Sequence, residues 1–308
     1  MRAVALDSVP ATPAVTEIDA PRPAAGEVLV RVASASVNGF DVAVAAGYVR
    51  ETMEHRFPLV LGKDFAGTVT EVGEGVTGFA AGDQVFGVVM TPVLQAGTLA
   101  QYAAVPAGYG LARIPEGLSV KDAGALGLAG TAALNSLDAA GVGEGDTVLV
   151  AGATGGVGAY AVQLAAARGA RVIATARPGA EADFVTGLAP VQVVDYADDL
   201  EAGVRKIAPD GVDAVLHLAG DVTRLAGLLG GDGRLASTLG LPADAVEGTT
   251  IHPVLADPSA ETLTTLAELA ARGKLRVPVT TVYPLEQVHE AFAAFSKGAI
   301  GKIAIACS

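Results

Sequence analysis

Between Thr147 and Arg168 an apolar β-type run, Thr147-Val-Leu-Val-Ala151, passes through Gly152-Ala-Thr-Gly-Gly-Val-Gly158 into an apolar helical run from Ala159. A strand that ends in a tight glycine turn and feeds a helix gathers unpaired backbone N–H groups and a partial positive charge at one point. That is chemistry for an anion, and in this order for the pyrophosphate of a dinucleotide. Gly155 and Gly156 carry no side chain to hold a phosphate off the backbone, and Ala153, Thr154 and Val157 complete the turn. Spacing by itself decides nothing. With 39 glycines in 308 residues, a given three-glycine pattern is expected roughly 0.6 times by chance. Such patterns also occur at Gly124/Gly127/Gly130, Gly227/Gly230/Gly233 and Gly73/Gly75/Gly78. The first begins inside a helical run and the others lead into strands, so context selects Gly152–Gly158. The competing reading is an Ala/Gly-rich helix packed tightly on its sheet.

The next β-type run, Arg171–Ala176, bears on which dinucleotide is held. An NAD site ends this strand on an acidic residue for the ribose 2′-OH. Here Thr175-Ala176 run into Arg177, 19 residues past Gly158, with no Asp or Glu at the tip. A guanidinium pairs with a 2′-phosphate, worth roughly 1.5–3 kcal/mol or on the order of 10- to 150-fold in affinity, where a carboxylate repels it. NADPH is expected over NADH, unless Arg177 is an ordinary surface arginine.

These residues need a scaffold, and the pattern supplies one. From residue 1 to about 115, short β runs such as Val28–Val32, Ala66–Val72 and Gln84–Val89 alternate with Pro/Gly turns; this predicts a β-rich, barrel-like domain with one helix near Asp41–Ala46. Ser119, with Asp122 three positions on, predicts the cap of a helix reaching about Ala140. Strands at Thr147–Ala151, Arg171–Ala176, Val191–Val194, Ala214–Leu218 and Arg234–Leu239 then alternate with helical runs, the signature of parallel βαβ units. After Pro258 come a helix Ser259–Arg272, a strand Val277–Tyr283, a helix Leu285–Lys297 and a strand Lys302–Ala306. The expected division is 1–118 and 258–308 in a β-rich domain, with 119–257 inserted as a doubly wound α/β domain.

Composition narrows the chemistry. The only cysteine is Cys307, and His55, His217, His252 and His289 lack metal-ligand spacing; a thiolate zinc site and a disulfide scaffold are excluded. With 20 Lys+Arg against 33 Asp+Glu, a net charge of −13 argues against nucleic-acid or anionic-membrane partners. Residues 84–112 and 147–167 are uncharged, but Pro92, Pro106 and the glycines make them buried parts of a globular fold rather than membrane spans. Arg2 is followed by Asp7 and Pro10 rather than an apolar leader, so a cytoplasmic location is expected.

Nine segments in order carry a resemblance: Gly26–Val32, Asn38–Asp41 with Gly47-Tyr48, Pro58–Gly67, Val72–Phe79 with Gly82-Asp83, Leu128–Ala132, Val150–Gly158, Asp195-Tyr196, Gly233-Arg234 and Gly301-Lys302. The chain resembles the zinc-free quinone oxidoreductase branch of the medium-chain dehydrogenase/reductase superfamily. The resemblance implies a GroES-like domain, an inserted Rossmann domain, a cleft between them for NADPH and substrate, and a homodimer formed through the edge strand near Thr249–Leu255. Zinc alcohol dehydrogenases of the superfamily carry a Cys near Asn38, a Gly-His-Glu near Gly62-Lys63-Asp64 and a four-cysteine lobe. Here the ligand types differ and the lobe is absent, so alcohol oxidation loses its Lewis acid.

The reaction so implied is hydride delivery from NADPH to a quinone or similar conjugated carbonyl, with an enone or enoyl reductase and an NADPH-binding sensor as alternatives. By resemblance, Thr131 and Asn38 lie near the nicotinamide, and Tyr196 and Arg177 surround the 2′-phosphate with Lys297 a third candidate. Leu218-Ala219-Gly220 and Thr238-Leu239 line the ribose and amide. Tyr48, a phenol that holds its proton at neutral pH, is a candidate donor to the reduced acceptor. Each has a plain alternative: a turn for Asn38-Gly39, a helix cap for Asp41, back-bonding within its own helix for Thr131, and a structural hydrogen-bonded role for His217. Cys307 is expected to be inert.

Overall fold

Thr147–Ala151 is buried along its whole length, which requires paired strands on both edges and cover on both faces. In the computed structural model, which describes residues 1–307, it is a central strand of a six-stranded sheet. The order across that sheet is Val191–Val194, Arg171–Thr175, Thr147–Ala151, Val212–His217, Leu229–Ser237, Ile251–Pro253, all parallel. In chain order this is third, second, first, fourth, fifth, sixth, the doubly wound Rossmann arrangement. The order reverses between Thr147–Ala151 and Val212–His217, and ligands bind outside the carboxyl ends of strands at such a reversal. Leu149, Ile173, Val215 and Leu235 form its core with Val204 and Leu225 from the crossover helices. This α/β unit comprises Ala129–Asp257.

The second unit is formed by Met1–Leu128 and the chain from Pro258 onward. Its main sheet runs Leu111–Arg113, Gln84–Val88, Asp64–Val72, Glu27–Ser36, Lys302–Ala306, Val279–Pro284, with Tyr102–Pro106 also pairing Glu27–Ser36. Alternation along Glu27–Ser36 turns Val28, Val30 and Val32 inward onto Phe65, Val69, Val85 and Ile303. The final strand pairs antiparallel with Ser34–Ser36, and Val37 N–H donates to Ile303 C=O. Lys302 is thereby placed beside Asn38. The GroES-like expectation for the β-rich part and the Rossmann expectation for the α/β part both hold.

Three local readings need correction. Ser119 does cap, its Oγ accepting from Asp122 N–H, but the helix stops at Ala123 and a second begins at Gly127. A Cβ on Gly124 would lie 2.5 Å from Ser34 Oγ and one on Gly127 2.7 Å from Val88 Cγ2; the break lets the backbone sit directly on the sheet. The fifth strand of the α/β unit begins at Leu229 rather than Arg234. The helix after Pro284 opens as a 3₁₀ turn, Leu285–Gln287, before Val288–Ser296. Among the described residues no helix is long and apolar enough to cross a membrane.

Candidate functional site

The glycine turn leaves the central strand at Gly152, whose φ of +90° favours a residue without a side chain. Gly155 N–H bonds back to Gly152 C=O at 3.1 Å, and Gly155 is the N-cap of the helix Gly156–Ala167. A Cβ on Gly158 would collide with Gly152 O and lie 2.6 Å from Ala153 Cα, whereas one on Gly155 would meet only Gly152 O at 3.5 Å. The two glycines therefore do different work. Gly158 lets helix and strand touch, while Gly155 faces open space where a phosphate could approach. Ala153 is buried, and Thr154, Gly156 and Val157 are half-buried on the turn's outer side. Thr175 Oγ1 accepts Gly152 N–H at 2.9 Å and donates to Val150 C=O at 3.3 Å, so this hydroxyl fastens two strand ends together.

The neighbouring strand ends meet there. Leu218 N–H donates to Ala151 C=O, Ala176 N–H to Val194 C=O, and Leu239 N–H to Ser237 Oγ at 3.2 Å. A Cβ on Gly152 would touch Ala219 Cβ at 3.0 Å. Ala219, Gly220 and Leu239 are exposed at this edge, with Leu218 and Thr238 half-buried. His217 donates Nε2–H to Gly220 C=O at 3.1 Å and accepts from Ser237 Oγ at Nδ1 over 2.9 Å; both ring nitrogens are engaged, as a structural histidine requires.

At the second strand's end the tip is not free of carboxylate. Glu181, four residues past Arg177, folds back from the start of the helix Ala180–Thr186. Its Oε1 accepts from Arg177 Nη2 at 2.6 Å, Arg177 Nε at 2.8 Å and Tyr196 OH at 3.2 Å, and its Oε2 from Arg177 N–H at 2.9 Å. The guanidinium lies 5.7 Å from the centre of the Tyr196 ring. Burial pushes the Glu181 carboxyl up, but the Arg177 N–H and guanidinium outweigh it and hold the group below its usual range. Sequence reading missed Glu181 by stopping at the strand tip. Its signal was the i,i+4 Arg–Glu spacing.

Thr131 is fully buried in the helix Gly127–Ala139, and its Oγ1 has no hydrogen-bond partner. The back-bonding alternative is thereby overturned. Ser136, on the same helix, does make that bond, to Ala132 C=O at 2.6 Å.

In the β-rich unit a buried polar cluster surrounds Asn38. Its Nδ2 donates to Asp64 Oδ2 at 3.0 Å and Ser36 C=O at 3.3 Å, and its Oδ1 accepts from Lys302 Nζ at 2.6 Å. The ammonium also reaches Asp64 Oδ2 and Val37 C=O, each at 3.4 Å. Ser36 Oγ donates to Asp64 Oδ2, and Leu128 N–H to Asp64 Oδ1 at 2.6 Å. Asn38 is not a turn residue but the extended N-cap of the helix Gly39–Ala45. Since its amide is committed elsewhere, Asp41 does the capping from within the helix, accepting Asn38 N–H at 2.8 Å and Gly62 N–H at 3.1 Å. Burial raises the Asp41 carboxyl to about 6 against the pull of the Asn38 N–H. Burial also lowers the Lys63 ammonium, which sits 4.9 Å over the Phe40 ring.

Tyr48 follows this helix and is 83% exposed. Further along the loop, His55 donates Nδ1–H to Met53 C=O at 2.8 Å and leaves a buried Nε2 without partner. Lys297 is an exposed residue ending the helix Val288–Ser296 of the β-rich unit. Cys307 is buried, and burial pushes its thiol up to about 12, which leaves it unreactive.

The alcohol dehydrogenase GroES-like domain matches residues 24–116, the zinc-binding dehydrogenase family 190–305, and the NAD-dependent epimerase/dehydratase family 148–226. A chloroplast envelope quinone oxidoreductase homolog of Arabidopsis thaliana is 32% identical over 94% of this chain and 92% of its own length. The chain belongs to the quinone oxidoreductase branch of the medium-chain dehydrogenase/reductase superfamily. Among solved structures, the quinone oxidoreductase from Coxiella burnetii superposes with a TM-score of 0.89 at 26% identity, covering 100% of this chain and 99% of that one. An NAD-dependent alcohol dehydrogenase superposes with a TM-score of 0.88 at 29% identity over 100% of both chains.

Membership in this superfamily makes the protein a pyridine-nucleotide-dependent oxidoreductase, and the α/β unit fits such a cofactor. The outer side of the glycine turn is open at Gly155, and a buried hydroxyl on Thr131 lacks a partner. In the β-rich unit Asn38 and Asp64 share the one ammonium of Lys302.

Proposed function

We propose that the protein is a zinc-independent NADPH:quinone reductase, passing hydride to a quinone or a similar conjugated carbonyl. The carrying observation is Lys302 Nζ, 2.6 Å from Asn38 Oδ1 and 3.4 Å from Asp64 Oδ2. A fixed side-chain cation fills the position between these two groups, which suits an acceptor electron-poor enough to take hydride without a Lewis acid. A bound dihydronicotinamide supplies that hydride from its C4.

The chain's own residues bind and orient. Backbone N–H groups of the Ala153–Val157 turn receive the pyrophosphate, Arg177 and Tyr196 the 2′-phosphate, and Leu218–Gly220 with Thr238-Leu239 line the ribose and amide. Thr131 Oγ1, buried and without a partner, holds the nicotinamide in register. Hydride addition leaves an anion on the acceptor oxygen; Tyr48 OH supplies the proton, and water reprotonates the exposed phenolate. The edge strand Ile251–Pro253, with Leu255 86% exposed just past it, supports a homodimer.

Steady-state NADPH oxidation by chelator-treated protein tests this with three acceptors: benzoquinones, 2-alkenals and enoyl thioesters. Benzoquinones are expected to give the highest kcat/KM, unchanged by chelation, and Tyr48→Phe to slow turnover with little change in NADPH binding. Alkenals or thioesters turning over tenfold faster than quinones would assign the protein to enone reduction. Tight NADPH binding with no oxidation by any acceptor would make it a sensor.

A further inference from the structure

We infer that Glu181 sets the choice between the two nicotinamide dinucleotides, by occupying the place of the 2′-phosphate with a carboxylate of the protein's own. The inference rests on Arg177 as the anchor of the adenosine ribose. Two guanidinium nitrogens, the Arg177 backbone N–H and the Tyr196 hydroxyl share one acceptor, Glu181, at 2.6–3.2 Å. An ordinary i,i+4 surface pair leaves both ends in water. In this one the Glu181 side chain is only 12% exposed while that of Arg177 is 59% exposed. The carboxylate is the inner member, fastened by a backbone N–H and a phenol as well as by the guanidinium. The other carboxylate at this edge, Asp195, is engaged with Ala197 N–H at 2.8 Å.

The two dinucleotides meet this arrangement with opposite chemistry. A ribose 2′-OH is a donor, and Glu181 can accept from it without giving up Arg177. A 2′-phosphate is an anion that competes with Glu181 for the same donors, and the two negative charges repel at short range. Arg177 and Tyr196 favour NADPH, and Glu181 moderates that preference. The protein therefore uses both dinucleotides, and the charge on Glu181 sets the ratio.

The test is equilibrium binding, by calorimetry, of adenosine 2′,5′-bisphosphate and adenosine 5′-monophosphate, which differ only in the 2′-phosphate, with NADPH and NADH as full-length probes. Glu181→Gln keeps the shape and removes the charge. It is expected to tighten the bisphosphate and NADPH on the order of tenfold and to leave the monophosphate and NADH within about threefold. Glu181→Ala is expected to move the ratio in the same direction, which covers any local disturbance by the amide. Arg177→Ala is expected to weaken the bisphosphate alone. An unchanged ratio in both Glu181 variants, or weaker bisphosphate binding, overturns the role of Glu181. If Arg177→Ala still acts selectively in that case, the NADPH reading survives. Equal weakening of both fragments by Arg177→Ala overturns the two together.

Discussion

Lys302 Nζ donates to Asn38 Oδ1 over 2.6 Å, so the last strand of the β-rich unit holds the cap of its first helix. All three ammonium hydrogens have acceptors, Asn38 Oδ1, Asp64 Oδ2 and Val37 C=O, with side chains 3% and 0% exposed at Lys302 and Asp64. A buried pair of this kind adds little net stability over an apolar one, but losing one member leaves the other uncompensated.

Lys302→Met is therefore expected to lower unfolding free energy by about 3–5 kcal/mol. Urea unfolding checks it. The double variant Lys302→Met with Asp64→Leu should recover part of the loss, because it removes the stranded charge.

Asp41 gives a pH signature of unusual sign. Its folded value of about 6 lies above the ordinary 3.8, so the native state keeps the proton where the unfolded chain has lost it. Stability contributed at this site falls as pH rises from about 4 to 6 and levels off above, a change on the order of 3 kcal/mol. Asp41→Asn should flatten that stretch in urea midpoints measured from pH 4 to 8. An unchanged slope would mean that another group titrates there.

Thr131→Val replaces a partnerless buried hydroxyl with a methyl. The free protein should become no less stable, gaining up to about 1 kcal/mol, while dinucleotide binding weakens several-fold. Thermal unfolding with and without NADPH reads both effects. A destabilised free protein would give the hydroxyl a structural role instead.

The two glycines of the turn should separate cleanly. Gly158→Ala drives a Cβ into Gly152 O, and a loss of several kcal/mol is expected, in the range of strained core substitutions of about 1–3 kcal/mol or more. Gly155→Ala has 3.5 Å of clearance and an ordinary φ of −76°. It should fold within about 1 kcal/mol of the parent and still bind dinucleotide at least tenfold more weakly. Normal binding by Gly155→Ala would move the phosphate off the turn.

What the sequence disclosed follows the range of the interactions. The strand–glycine–helix order at Thr147–Arg168 is local, and it led directly to the observed turn and to parallel pairing around it. The cluster at Asn38 was not legible, because Asp64 and Lys302 lie 26 and 264 residues away in the chain. Asn38-Gly39 looked like a turn only while those partners were out of view. Glu181 lies only one helical turn beyond Arg177, but the charge of Arg177 alone does not show that this neighbour folds back onto it. Gly124 and Gly127 broke a helix that periodicity alone runs through, since the reason is a close approach to Ser34 and Val88 on another strand.

The return of the final strand to Glu27–Ser36 also has a consequence for biosynthesis. The α/β unit is one uninterrupted stretch of chain, Ala129–Asp257, and all its strands are available once that stretch has left the ribosome. The β-rich unit must wait. Until Lys302–Ala306 has been translated, the nascent chain carries an open edge at Ser34–Ser36 and an Asp64 without its lysine. The strands made before the α/β unit are thus among the last to settle, and a chain cut short before Lys302 keeps an intact nucleotide fold beside an unfinished, aggregation-prone sheet.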